Sequence, residues 1–384
     1  FALVLAECVA RAAFDAPPRW ISVHVNANAD LTAFPLEEDG LTYKTPAGTR
    51  LRPNAHVKII NEPLTGRDIG IHTNALGYRN RQLRDKTLTR VWFLGDSVTC
   101  EDCAYEDETW VRRLEARSWE TELPVEAINA SKGGIQTSDQ LAILEETGLS
   151  TRPDIVVLGF YLNDLVESYG FTVGRLPGWL DRSYLAWLVS RGVNILEVEM
   201  EVRRFEKLQM RDLFDEIAQT FPPEEGDPRT RRGAFYREAL LHIYDWGASF
   251  SPGHWEYMEP LFQRFRRLAD QHDFQPLIVI FPVRLQIEAD FVEDYPQRQL
   301  KQVAGRLDIP TLDLLPSLRT AHRVAREPLL YDHCHYTVYG GGILAEEILS
   351  FIQDQGAIRP NAAIPAYLRE SAPQAGEFEY LYSR

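Results

Sequence analysis

The sequence predicts an α/β domain wound on both sides of a parallel sheet, and two observations predict it. Short apolar runs stand in order along the chain at Arg90–Leu94, Val125–Ile128, Asp154–Leu158 and Pro276–Phe281, with a further one inside Ile309–Leu315. Runs this short and this continuously apolar suit strands covered on both faces. Stretches with helical spacing separate them, over Thr109–Glu120, Ser138–Thr147, Trp255–His272 and Tyr295–Leu307. Strand and helix in alternation close into a doubly wound sheet.

The elements are justified in chain order. Residues 1–19 open on Phe1-Ala-Leu-Val-Leu-Ala6 and continue Glu7-Cys8-Val9-Ala10-Arg11. This apolar helical stretch is shorter than the roughly 20 residues that span a bilayer. It reads as the remnant of a membrane anchor or of a signal segment, with an ordinary amphipathic first helix as the plain alternative. Lipid modification at Cys8 fits less well, because Glu7 is large and charged where a cleavage site wants a small residue. Residues 20–88 carry Pro, Gly, Asn and Thr at short intervals, and pieces such as Ile21–Val25 and His56–Ile60 predict a small β-rich lead-in. Residues 89–355 form the main domain, interrupted over about 165–255. Within the interruption, Ile195, Val198, Val202 and Phe205 fall at helical spacing. That helix is read as packing on the core, with a lid or partner surface as the functional alternative. The aromatic stretch Phe160, Tyr161, Tyr169, Phe171, Trp179, Tyr184 and Trp187 either walls a pocket or belongs to the core. Residues 356–384 form a tail with Tyr367, Phe378, Tyr380 and Tyr382.

Composition narrows the function classes. Hydrophobic residues make up 45% of 384 and charged residues 25%, which excludes wholesale disorder and fibrous repeats. The net charge of −15 and the lack of a basic stripe exclude nucleic acid as a partner. Cys8, Cys100, Cys103 and Cys334 are too few for a disulfide scaffold. In an oxidising compartment a disulfide among Cys100, Cys103 and Cys334 is expected. No Gly-x-Ser-x-Gly elbow, phosphate-binding Gly-rich loop or dinucleotide fingerprint occurs.

Open parallel sheets bind ligands beyond the carboxyl ends of their strands. The residues after the runs are Gly95-Asp96-Ser97, Lys132-Gly133-Gly134, Asn163-Asp164 and Tyr331-Asp332-His333-Cys334-His335. A serine hydroxyl becomes a nucleophile when a base takes its proton. His335 is the expected base, and Asp332 fixes its tautomer from three residues upstream. The Ser97 amide, the Gly134 amide and the Asn163 side chain are the expected oxyanion donors, each worth about 3 kcal/mol in the transition state.

Gly95-Asp96-Ser97-Val98, Gly134, Asn163-Asp164 and Asp332-x-x-His335 resemble the four blocks of the SGNH (GDSL-type) hydrolases. The resemblance covers about residues 70 to 350. It implies a three-layer α/β/α fold with a flavodoxin-like parallel sheet, Ser97 as nucleophile, Gly134 and Asn163 in the oxyanion hole, and a triad completed by Asp332 and His335. The flanking Asn74-Ala-Leu-Gly-Tyr-Arg79 and Gly159-Phe-Tyr-Leu-Asn-Asp164 are similar to a membrane-anchored bacterial subgroup. Val98 replaces the usual Leu, Ser131 a glycine of the second block, and Tyr161 a glycine of the third, where it is expected to narrow the pocket. Asp164 is read as structural and His333 as a bystander. A rival zinc site would join Asp332-His333-Cys334-His335 to Cys100-x-x-Cys103, but adjacent residues seldom converge on one tetrahedral ion. Neither metal nor cofactor is therefore assigned.

The expected function is a serine esterase that cleaves an O-acyl, perhaps O-acetyl, group from a carbohydrate or small ester. It is expected to be extracytoplasmic (periplasmic or at the cell surface) and tethered to a membrane through its N-terminal segment. Two alternatives stand beside it: an O-acyltransferase on cell-envelope polysaccharide, and an accessory subunit of a membrane assembly with an idle pocket.

Overall fold

The computed structural model of the chain describes residues 2–14, 41–45, 48–59, 62, 64–165, 179–180, 182–190, 192, 247–250, 252–288, 292–360 and 363–366. The expected strand at Ile21–Val25, the helix through Ile195–Phe205, the aromatics Tyr169 and Phe171, and the tail aromatics Tyr367, Phe378, Tyr380 and Tyr382 lie outside the described residues.

Helix α1 (Ala2–Ala13) leads. Its Leu3 and Val4 are 76% and 66% exposed, with Leu5 and Val9 exposed beside them. Its Glu7 carboxylate instead turns inward and caps the start of a helix over 184–190, accepting from the Tyr184 and Leu185 amides at 3.1 and 2.9 Å and from Ser183 Oγ at 2.8 Å. The Leu185 amide, Ser183, Tyr184 and Arg11 together hold this carboxyl down at about 2 despite partial desolvation. Arg11 adds a stack over the Tyr184 ring at 4.6 Å. No helix among the described residues is long and apolar enough to cross a membrane.

Two antiparallel hairpins follow, β1 (Thr42–Thr45) with β2 (Gly48–Leu51), and β3 (His56–Ile59) with β4 (Ile69–His72). The second has its own small core of Ala55, Val57, Ile59, Ile69 and Ile71. The main sheet comprises β5 (Thr89–Leu94), β6 (Val125–Asn129), β7 (Ile155–Tyr161), β8 (Gln275–Phe281) and β9 (Thr311–Asp313). Its order is β6-β5-β7-β8-β9 and every pairing is parallel, which is the flavodoxin-like arrangement. Every residue of β5, β6 and β7 is buried, as continuous apolar runs require when helices cover both faces.

The helices are α2 (Ser97–Cys100), α3 (Trp110–Ser118), α4 (Thr137–Ile143), α5 (Met258–His272), α6 (Arg284–Glu288), α7 (Tyr295–Gly305), α8 (Leu315–Val324) and α9 (Val338–Asp354). Helix α3 packs against α9 and β6, whereas α5 packs against α4 and α7, so two helical groups enclose the sheet. The strand order reverses between β5 and β7, the switch point past whose carboxyl ends open sheets of this kind bind ligands.

Candidate active site

The serine stands where β5 runs out. Asp96 caps α2 through Oδ1, which accepts from the Val98 amide at 2.9 Å, and Ser97 is the first helical residue. Asp96 is thus more than a turn residue, since its cap fixes the direction in which Ser97 leaves the strand. Gly95 is required by close approach: a Cβ there would collide with buried Thr99 Oγ1 and Cβ. Gly95→Ala is expected to cost about 1–3 kcal/mol of stability by forcing the turn apart. Urea unfolding of the variant beside wild type measures it, and an unchanged midpoint would refute it.

A buried arginine closes the other end of α2. Arg79 is 1% exposed and its guanidinium donates to the carbonyls of Cys100, Glu101 and Ala104 at 2.7, 2.6 and 2.5 Å. Helix ends leave carbonyls without partners, and one fork here satisfies several at once. Glu101 takes the left-handed conformation at the C-cap, with φ of 51°. Its buried carboxyl accepts from the Trp110 amide at 2.5 Å, and burial pushes it up to about 8 against the pull of Arg79, Arg113 and His335. The Trp110 indole donates to the Val98 carbonyl at 3.1 Å. Sequence reading marked Arg79 only as part of a resemblance. Its role was not legible because it depends on a contact with a segment beyond the next strand. Arg79→Ala is expected to destabilise the fold by about 3 kcal/mol or more, since buried carbonyls lose their donors. Arg79→Lys is expected to recover only part of that, because an ammonium lacks the planar fork. Equal unfolding midpoints for the two variants would contradict it.

The second block folds against the first. Asn129 Nδ2 donates to the Thr99 carbonyl at 3.0 Å and the Lys132 amide to the Gly95 carbonyl at 3.2 Å. A Cβ on Gly133 would sit 3.6 Å from Ser97 Cβ, so the two loops touch at the serine. Gly134 has φ of 70°, a left-handed backbone that a side chain would strain. Ser131, in place of a glycine, is buried and its hydroxyl bonds Asn129 Oδ1.

Asn163 lies on the short 3-10 turn Leu162–Leu165 that ends β7. Asp164 beside it is buried and accepts from the Tyr161 amide and Gln140 Nε2, each at 3.2 Å. Burial, reinforced by the Asp96 charge, pushes its carboxyl well above the usual range. This is the structural part expected of Asp164. Tyr161 is 1% exposed and belongs to the main core.

The last block is a tight turn written by Asp332. Its Oδ1 accepts from the amides of Cys334 and His335 at 2.8 and 2.7 Å, and its Oδ2 lies 2.7 Å from His335 Nδ1. Burial disfavours the imidazolium, but Asp332, with Asp96 and Glu62 behind it, outweighs burial and pushes His335 up to about 9. Against the burial that would raise it, the His335 and His333 charges hold the Asp332 carboxyl well below the usual carboxylate range. The Arg284 amide donates to the His333 carbonyl at 2.8 Å, which ties this turn to the segment after β8.

Asp332 and His335 are therefore joined directly, and Asp96, next to Ser97, is near enough to act on the ring. Among the described residues no hydrogen bond links Ser97 Oγ to His335. His333 keeps its place beside Asp332, with Nδ1 3.8 Å from Oδ2. The expected disulfide is corrected: none joins Cys100, Cys103 and Cys334. The Cys100 thiol instead donates to Asp102 Oδ1 at 2.9 Å, and burial drives both Cys100 and Cys103 away from the reactive thiolate.

No family model and no curated protein matches the chain. Solved structures do. The chain is similar in structure to solved esterases and acylhydrolases. An acetyl xylan esterase, AlAXEase, aligns at 15% identity with a TM-score of 0.35, covering 68% of this chain and 99% of that one. A lipase/acylhydrolase from Enterococcus faecalis aligns at 15% identity and 0.37, covering 71% and 99%. A member of the lipolytic protein G-D-S-L family from Veillonella parvula aligns at 14% identity and 0.36, covering 69% and 98%. At these scores the likeness carries no weight of its own, and function must be read from the site.

Proposed function

We propose that this protein is an SGNH-type serine ester hydrolase. The observation that carries the reading is the 2.7 Å contact of Asp332 Oδ2 with His335 Nδ1, at the sheet edge where Ser97 opens α2. In this reading, Ser97 Oγ attacks the acyl carbonyl as His335 Nε2 takes its proton, and Asp332 steadies the imidazolium. The negative oxygen is received by the Ser97 and Gly134 amides and by the Asn163 side chain. The alcohol leaves with the proton from His335, and a water repeats the sequence on the acyl-enzyme.

Beside the Lys132 loop lies a small cleft whose lining includes Tyr43, Arg50, Tyr78, Ser131, Lys132 and Glu146. The exposed Leu3, Val4, Leu5 and Val9 of α1 support a membrane-tethered setting. Fluorophosphonate labelling followed by peptide mapping tests the nucleophile without knowledge of the substrate. Ser97 is expected to carry the label, and labelling elsewhere or not at all would sink the reading.

A further inference from the structure

Asp332, His333 and Cys334 are consecutive, yet they turn their donor atoms into one small volume. A carboxylate oxygen, an imidazole nitrogen and the thiol sulfur all lie within 4.8 Å of one another. Neighbouring residues seldom converge in this way, and the Asp332 turn explains why these do. By accepting from the next two available amides, Oδ1 folds the backbone round its own carboxylate. Oδ2 then faces His333 Nδ1 at 3.8 Å, and Cys334 Sγ sits 3.4 Å from His335 Nδ1, which is itself 2.7 Å from Oδ2. A tetrahedral zinc ion spaces its donors about 3.5 Å apart, given bonds of roughly 2.0–2.3 Å. A mixed sulfur, nitrogen and oxygen set also suits zinc and disfavours magnesium or calcium, which take oxygen alone. Among the described residues neither Cys100 nor Cys103 joins this group.

We propose that Asp332, His333 and Cys334 form an inhibitory site for a thiophilic divalent cation, with zinc as the reference ion. The binding stands on the donor geometry, and its inhibitory consequence rests on the ester-hydrolase reading. The ion takes Asp332 Oδ2 as a ligand and the Cys334 thiol gives up its proton to solvent. Oδ2 then no longer holds His335 Nδ1, so the base loses the partner that fixes its tautomer. Turnover stops while the fold persists, and removing the ion restores it.

Cobalt(II) titration of the full chain tests the site by absorbance. One ion per chain with a thiolate-to-cobalt charge-transfer band is expected in wild type and in Ser97→Ala, and Cys334→Ser is expected to lose the band. Zinc is expected to abolish ester turnover reversibly. Measured against its own zinc-free turnover, His333→Ala is expected to need about tenfold more zinc or above, with His333→Gln as the second variant should alanine not fold. A wild-type spectrum without the thiolate band, a band that survives in Cys334→Ser, or undiminished zinc sensitivity without His333 overturns the proposal. If no ester is turned over, the cobalt band still decides the metal site, and only the hydrolase reading falls.

Discussion

Ser97→Ala is expected to lower turnover of a chromogenic acetyl ester by about 10⁴-fold or more. In the proposed mechanism the Ser97 oxygen alone bonds covalently to the substrate, so no neighbour substitutes for it. Residual rate above water would come from the oxyanion donors and from binding alone. The side chain is partly exposed and makes no hydrogen bond among the described residues, so its loss leaves the fold intact. Circular dichroism and the unfolding midpoint should match wild type. A variant as fast as wild type would remove the nucleophile from residue 97.

The second large effect is expected from Asp332→Asn. An asparagine keeps an oxygen for the Cys334 and His335 amides but turns an NH₂ towards His335 Nδ1. That favours the tautomer with its proton on Nε2, which cannot accept from Ser97, and kcat is expected to fall about 10⁴-fold. The pH dependence should move as well. In wild type His335 is raised from 6.5 to about 9, so the neutral base becomes available only as pH climbs into the alkaline range. kcat/KM is therefore expected to rise from neutrality towards pH 9. The stability that the ion pair contributes has the opposite trend: it is fully present below about 6.5 and is lost as pH rises through about 9. Asp332→Asn removes the raising charge, so the rate limb should shift to lower pH and the stability limb of the ion pair should disappear. Rate profiles and unfolding midpoints between pH 6 and pH 10 check this, and an unmoved rate limb would separate Asp332 from the base.

How much of this was legible in the sequence depended on the range of the interaction involved. The sheet was legible because β5 to β8 are buried almost throughout and so carry largely apolar runs, whereas β9 is half-buried and only Thr311–Asp313 pairs within the run Ile309–Leu315. Helix α3 was legible because Thr109 ends the preceding turn and caps it. Helix α9 went unread. Its first turn is Val338-Tyr-Gly-Gly-Gly, poor in helix propensity, and its long apolar remainder is held by packing against α3 rather than by pattern. The candidate site residues were marked in the sequence by short motifs at strand ends. Their bracing was not, because Arg79, Glu101 and Trp110 act only after distant segments meet. The convergence of Cys334 on His335 was likewise hidden, since it depends on backbone bonds to one carboxylate oxygen.

The Arg79 brace has a consequence for how this unit could be transplanted. A fragment beginning at residue 89 would carry Ser97, Gly134, Asn163, Asp332 and His335 and would look complete by its motifs. It would nevertheless leave the carbonyls of Cys100, Glu101 and Ala104 without their guanidinium donor, and the serine turn would slacken. The smallest portable version therefore starts upstream of the Asn74–Arg79 loop, so what reads as a preamble to the main domain is one of its structural members.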